Sequence, residues 1–283
     1  MKRLTKLAAG AALLAAALGM HAAQAANVLV LLSDAHELDL KDGKRYPTGF
    51  FLNELMEPVK MLLDAGHQVA FATPEGRAPA VDKVSEDVQY FHGGAAAYAE
   101  HRALLDKLAL TSPARSPVVS LDRIEQQGYG AYDAVYVPGG HAPMQDLIRD
   151  PRVGRLLSAF HAAGKTTALT CHGPAALLAT VAQPDFVARL EAGQPVSRPA
   201  WIYAGYRMTV ISNVEEEQAK GVLNGGAMKL LPQNGLQAAG ADYRSNAQPW
   251  TPFVVEDREL ITGQNPASAA DVGKALLKRL GAH

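Results

Sequence analysis

Short continuous apolar runs of strand length alternate along the chain with longer stretches whose apolar residues lie three and four apart. Residues 27–32, NVLVLL, are apolar throughout with β-branched members, the pattern of a parallel strand buried on both faces. Residues 33–47 are polar with Gly43 and Pro47 and read as loop, and 48–65 carry a helical period ended by Gly66. Residues 67–73, HQVAFAT, form a second strand closed by Pro74, Glu75 and Gly76. A strand, a crossover helix and a strand in that order pair in parallel with a right-handed connection. The unit recurs: 132–138 (YDAVYVP) reads as strand, a helix opened by Asp150 and Pro151 puts Val153, Leu156, Leu157 and Phe160 on one face, and 166–170 is strand again. Apolar helical spacing follows Pro174. Further on come a loop or short helix over 185–199, two short strand candidates within 201–211, and a helix over 228–239 opened or broken by Pro232. Short strands at 253–255 and 259–262 and a terminal amphipathic helix over 267–280 complete the chain. The fold class is α/β, a parallel sheet sandwiched by helices.

Two regions break the alternation. Residues 77–130 mix charged and small residues around Gly93-Gly94, Pro113 and Pro117, with one helical patch at 97–108, and read as an inserted cap. The first 25 residues have a basic start (Lys2, Arg3, Lys6), an apolar run from Leu7 to Met20 and a small-x-small site at Ala23-Gln24-Ala25, the layout of a cleavable secretory signal. Cleavage near Ala25/Ala26 implies a periplasmic or secreted protein, a single domain over 26–283. The apolar run is short for a bilayer span and nothing later approaches that length, so no membrane is expected for the mature form.

Charge narrows the partners. Removal of the leader takes away three positive charges and no acidic ones, moving the formal charge from -1 to -4. A mildly acidic chain without a basic stripe has no electrostatic footprint for nucleic acid. The 48% hydrophobic composition supports a full core. A single cysteine excludes an internal disulfide, and a free thiol kept in an oxidising compartment suggests a use for it.

That cysteine is Cys171. It ends the 166–170 strand and is followed by His172, Gly173 and Pro174. A nucleophile elbow of this kind presents its side chain at the carboxyl edge of a sheet. The following helix, aiming its free N–H groups at the sulfur, favours thiolate. Gly139, Gly140 and His141 follow the preceding strand, where glycine amides can face a ligand. Two acidic positions stand out: Glu54 in the first helical pattern, and the run Glu215, Glu216, Glu217 at a helix start, which spacing alone leaves open between helix-start charge and a catalytic carboxylate. No His-x-x-x-His or Cys-x-x-Cys spacing supports a metal site.

Four motifs in order, TGFFLNELMEP, PGGHAPMQDL, TCHGPAALL and VVEDRELITGQNPAS, resemble the ThiJ/PfpI superfamily, and within it the branch of glyoxalase III and stress-chaperone proteins, over most of residues 27–280. The resemblance implies a class I glutamine-amidotransferase-like fold, a flavodoxin-like parallel sheet, with neither metal nor organic cofactor. It makes Cys171 the nucleophile, His172 its base and Glu216 the orienting carboxylate, with Glu215 and Glu217 as alternates. Glu54 is implied to be a proton carrier against the cysteine, Gly140 and the His172 amide an oxyanion site, Gly139 and His141 substrate contacts, and a small carbonyl compound the substrate. A homodimer is also implied. The activity implied is conversion of methylglyoxal or a related 2-oxoaldehyde to a 2-hydroxy acid through a Cys171 hemithioacetal. An exported holdase chaperone and a cysteine hydrolase or peptidase on the same triad are the rivals. Leu169 stands where glutamine amidotransferases carry glycine, which argues against ammonia transfer, and the leader departs from a cytosolic detoxifying role.

Overall fold

Side chains alternate along β1, Asn27–Leu31: Val28 and Val30 face one apolar layer, Leu29 and Leu31 the other. This is a strand at the centre of a sheet covered on both faces. The computed structural model describes residues 25–281, so all but the last residue of the leader read over 1–25 lies outside the described residues. After β1 comes a hairpin, β2 Glu37–Asp39 and β3 Arg45–Pro47, in the stretch expected to be loop. Helix α1, Leu52–Asp64, leads to β4, Gln68–Thr73. Next are α2 Gly94–Leu108, β5 Val119–Ser120, α3 Leu121–Gln127 and β6 Ala134–Val137. Helix α4, Pro151–Ala162, precedes β7, Thr166–Thr170. The C-terminal third holds α5 Phe186–Glu191, β8 Arg207–Met208, α6 Asn213–Ala219, α7 Pro232–Ala239 and β9 Asp242–Tyr243. It closes with β10 Val254–Asp257, β11 Leu260–Gly263 and α8 Ala269–Leu280.

The main sheet runs β10-β11-β7-β6-β1-β4-β5, parallel except for β10, which pairs antiparallel with β11. Helices α1, α2 and α8 cover one face, and α3, α4, α7 and a 3₁₀ helix, Gly173–Thr180, the other. Among the described residues no helix is long and apolar enough to cross a membrane.

Residues 77–130 are not the separate cap that their mixed composition suggests. Helix α2 packs on α1, and β5 adds an edge strand to the sheet beside β4. Only a short part of the region, holding Asp82, Val84 and Tyr90, reaches the site. Helix α1 begins at Leu52 rather than near 48, because the preceding residues are committed elsewhere: the Phe50 amide bonds Ala80 and the Phe51 amide bonds Gly139. Within 201–211 the structure forms one short strand, β8, where two were expected.

Candidate active site

Cys171 follows β7 directly, with φ at +57°, a left-handed conformation that costs a non-glycine residue about 1–2 kcal/mol. Its backbone is held from both sides, the amide donating to Gly263 O at 2.9 Å and the carbonyl accepting from the Ile211 amide at 3.1 Å. The turn also needs Gly173, since a Cβ there would lie 2.4 Å from Val137 O. Cys171 thus sits in a strained backbone conformation directly after the carboxyl end of β7.

The imidazole of His172 folds back on its neighbour, placing Nδ1 3.3 Å from the Cys171 sulfur. On the far side its Nε2 lies 2.8 Å from Glu216 Oε1, both groups being buried. Burial raises the Glu216 carboxyl, and the charge and contact of His172 outweigh it, leaving the group below its ordinary range. The three adjacent acids have three different roles. Glu215 accepts from the Ser212 amide and hydroxyl, from Gln264 and Asn265 and from the Trp250 amide, at 2.8–2.9 Å. It is a structural tie closing a capping box. Glu217 faces solvent and pairs with Lys220. Only Glu216 meets the histidine. Glu215→Ala should cost at least about 3 kcal/mol, because it orphans several buried donors, while Glu217→Ala should stay within about 0.5 kcal/mol. Thermal unfolding of the two variants measures the contrast.

Glu54, in the first turn of α1, is fully buried on the other side of the sulfur. Its Oε2 accepts from the Gly139 amide at 2.7 Å, and its Oε1 has no partner among the described residues. A Cβ on Gly139 would lie 2.6 Å from Glu54 Oε2 and 2.7 Å from Cys171 Cβ, so only glycine lets carboxyl and thiol approach. The amide of Gly139, expected to face a ligand, is thus spent on Glu54. The amides of Gly140 and His172 have no backbone acceptor among the described residues. Burial pushes Glu54 up to about 8, against the opposing effects of Cys171, the Gly139 amide and His141.

The expectation of a thiolate held by a helix end requires correction. Cys171 is 2% exposed, and burial together with the negative charges of Glu54 and Glu216 raises its thiol well above the ordinary value. The following turn is 3₁₀ rather than α-helical. A proton kept on Glu54 removes one of those charges from beside the sulfur, so thiol and carboxyl titrate as a pair.

A second buried pair went unread in the sequence. His141 leans on His172 with ring centroids 4.4 Å apart and planes tilted by 47°, and its Nδ1 lies 3.6 Å from Asp82 Oδ2. Asp82 accepts from the Thr48 hydroxyl (2.8 Å), the Tyr46 hydroxyl (3.2 Å) and the Val84 amide (3.1 Å). Burial raises its pKa, but His141, Thr48 and the Val84 amide outweigh that and hold it below its usual value. Nothing in the local pattern marks Asp82, which comes from the 77–130 stretch. His141, His172 and Glu216 also bring one ligand-type atom each within 4.8 Å of one another, a grouping that sequence spacing did not disclose. The sulfur opens on a cavity of about 70 Å³ lined by Tyr46, Phe51, Gly140, His141 and Trp250 among others.

Comparison with known proteins places this geometry in a family. The model described as "ThiJ/PfpI family-like" matches residues 47–202, just over half of the chain. The chain belongs to the ThiJ/PfpI family. A relative from Schizosaccharomyces pombe, named a probable glutathione-independent glyoxalase (hsp3103), is 30% identical over 91% of this chain and 99% of its own. The protein/nucleic acid deglycase HchA of Pseudomonas aeruginosa is 27% identical over 90% of this chain and 80% of its own. Among solved structures, the Rapid Encystment Protein 24 kDa of Francisella tularensis superposes with a TM-score of 0.68 at 25% identity, covering 90% and 99% of the two chains. Glyoxalase III of Candida albicans, at 20% identity, superposes with a TM-score of 0.65 over 89% and 96%, a likeness of fold. The ThiJ/PfpI resemblance carried by the four sequence motifs is therefore correct, in the branch that holds these glyoxalase and deglycase relatives.

One further signal in this ThiJ/PfpI chain was legible but unread. Ser212-Asn213-Val214-Glu215 is a capping-box pattern that assigns Glu215 to the helix start. Trp250, by contrast, gives no local hint that it will stand over the cysteine.

Proposed function

We propose that this protein is a cofactor-independent glyoxalase III-like enzyme, converting methylglyoxal or a related 2-oxoaldehyde to the 2-hydroxy acid. One observation carries the reading: a buried thiol stands between an imidazole–carboxylate pair and a second carboxyl group whose pKa, about 8, suits it to take and return a proton near neutrality. The relatives named as a glutathione-independent glyoxalase and as deglycases support it.

The Cys171 sulfur adds to the aldehyde carbon C1, and the thiol proton passes through His172 to the C1 oxygen, giving a hemithioacetal. Charge developing on that oxygen is met by the amides of Gly140 and His172. Glu54 as carboxylate takes the C1 hydrogen as a proton. The electron pair left behind forms the C1–C2 double bond as the C2 oxygen gains a proton, which yields an enediol. Return of a proton to C2 and loss of one from the C1 hydroxyl give the thioester of the 2-hydroxy acid. Water then displaces sulfur, releasing the acid and restoring the thiol. C1 is oxidised and C2 reduced within one molecule, so no external electron carrier enters. Glu216 orients His172, and His141, held by Asp82, contacts the substrate. The leader at 1–25 would place this work outside the cytoplasm.

The test is incubation of the mature protein with methylglyoxal, without glutathione, with D-lactate as the readout. Steady D-lactate formation is expected, and none at all would end the proposal. The deglycase relatives favour one second reading, in which the same groups act on an aldehyde–amine adduct. Release of free amine from a preformed methylglyoxal–arginine adduct faster than free aldehyde is consumed would select it. Suppression of protein aggregation without any turnover would instead favour the holdase.

A further inference from the structure

Outside the 70 Å³ cavity lies a second space of about 470 Å³ that shares Tyr90, Ala219, Val222, Trp250 and Pro266 with it, so the two adjoin across these side chains. The inner one has room for a dicarbonyl unit against the sulfur and for little beyond it. The outer one is far larger than methylglyoxal needs. Its remaining lining is Gln89, His92, Gln218 and Ala267, and no Asp, Glu, Lys or Arg is among the lining residues. A neutral cleft with aromatic walls and amide side chains selects uncharged, apolar groups.

Trp250 is the shared wall. It is 41% exposed, and with Val84 at 37% it makes two of the five large hydrophobic residues exposed among those described; both line the inner cavity. Its position is held at strain. The backbone sits at φ +62°, the amide donates to Glu215 at 2.8 Å, and indole Nε1 donates to Gln218 at 2.6 Å. An exposed indole kept in a disfavoured conformation by two anchors is a preorganised apolar surface, and such strain concentrates at ligand clamps.

We propose that Trp250 and the outer cleft bind the C2 substituent of the substrate, and that this substituent is bulky and uncharged, aryl or branched alkyl. The inference rests on the proposed glyoxalase reading and names its substrate class. Dicarbonyl carbons occupy the inner cavity, while the substituent leaves between Trp250 and Tyr90 and lies against Val222. Trp250 is a specificity-determining residue and takes no part in proton transfer.

The experiment compares kcat/KM for phenylglyoxal, 4-methyl-2-oxopentanal and methylglyoxal in the wild type, Trp250→Ala and Trp250→Phe. The wild type should favour the two larger aldehydes by about tenfold or more, mainly through KM, as an aromatic contact together with apolar burial supplies. Trp250→Ala should collapse that ratio and Trp250→Phe should keep most of it, an order that loss of folding alone would not produce. Equal kcat/KM for large and small aldehydes in the wild type, or a ratio unmoved in Trp250→Ala, overturns the subsite. A binding arm separates this from failure of the chemistry: saturation-transfer NMR of Cys171→Ala with acetophenone, against acetone as control. Transfer to acetophenone that disappears when Trp250→Ala is added supports the subsite even if no aldehyde turns over, and absence of transfer overturns it.

Discussion

Cys171→Ala should lower D-lactate formation from methylglyoxal by at least about 10³-fold, to the uncatalysed background. The size of the effect follows from geometry. The sulfur is the strongest nucleophile among the described residues that line the inner cavity, and in the proposed mechanism His172 and Glu54 act on what it has bound. Cys171 also packs within the apolar layer on its side of the sheet, so a loss of activity must be separated from a loss of fold. Cys171→Ser keeps the volume more nearly and should be as inactive, because a buried hydroxyl lacks the sulfur's nucleophilicity. An unchanged thermal midpoint in the serine variant, together with D-lactate formation at the wild-type rate, would remove the thiol from the mechanism.

Glu54→Gln carries the second largest effect, a fall in kcat of about 10²–10⁴-fold, the range for loss of a positioned proton carrier. Glutamine keeps the shape and can still meet the Gly139 amide through its carbonyl oxygen, so an accompanying rise in KM is not expected. Two pH signatures should go with it. Burial raises Glu54 to about 8 and the Cys171 thiol well above its ordinary value, and the proposed mechanism uses Glu54 as carboxylate. Wild-type kcat/KM should therefore rise as pH approaches 8. Stability should move the other way. The folded-state pKa of Glu54 is raised from 4.5 to about 8, so between these values the folded protein holds a proton that the unfolded chain has lost. The contribution is complete below pH 4.5 and is lost as pH climbs to about 8, at up to about 1.4 kcal/mol per pH unit. Glu57 and Asp146, both raised to about 7 by burial, tilt stability in the same direction. Glu54→Gln should flatten the slope of unfolding free energy against pH without abolishing it. A slope unchanged in that variant would show that Glu54 is ionised in the folded protein at neutral pH.

The periodic parts of this protein were readable before any coordinates. A run such as 27–32 is apolar at every position because both faces are covered, and 150–164 repeats at helical spacing because one face is. The turn at Cys171 was visible for a similar reason, since a strand, a cysteine, a histidine, a glycine and a proline are consecutive. Residues 77–130 were harder. Val119–Ser120 has too few residues to show a period, and it is a strand because β4 offers an unpaired edge.

The site divides along the same line. By itself the sequence determined that a cysteine–histidine dipeptide ends a buried parallel strand, that a glycine pair ends its neighbour, and that acids stand in the first helix and after Ser212. These are local facts, legible because they depend on residues a few positions apart. Local spacing left open which acid meets His172, the family resemblance pointed to Glu216, and the tertiary structure brings Glu216 to it. Successive helical residues point about 100° apart, and the docking of α6 chooses the one that faces His172. Tertiary structure also decided that Glu54 would be stripped of water and so raised to about 8, that burial and neighbouring carboxyls would raise the thiol above its ordinary value, and that Asp82 and Trp250 would arrive from distant segments. Burial and long-range contact set those properties, and neither has a period along the chain.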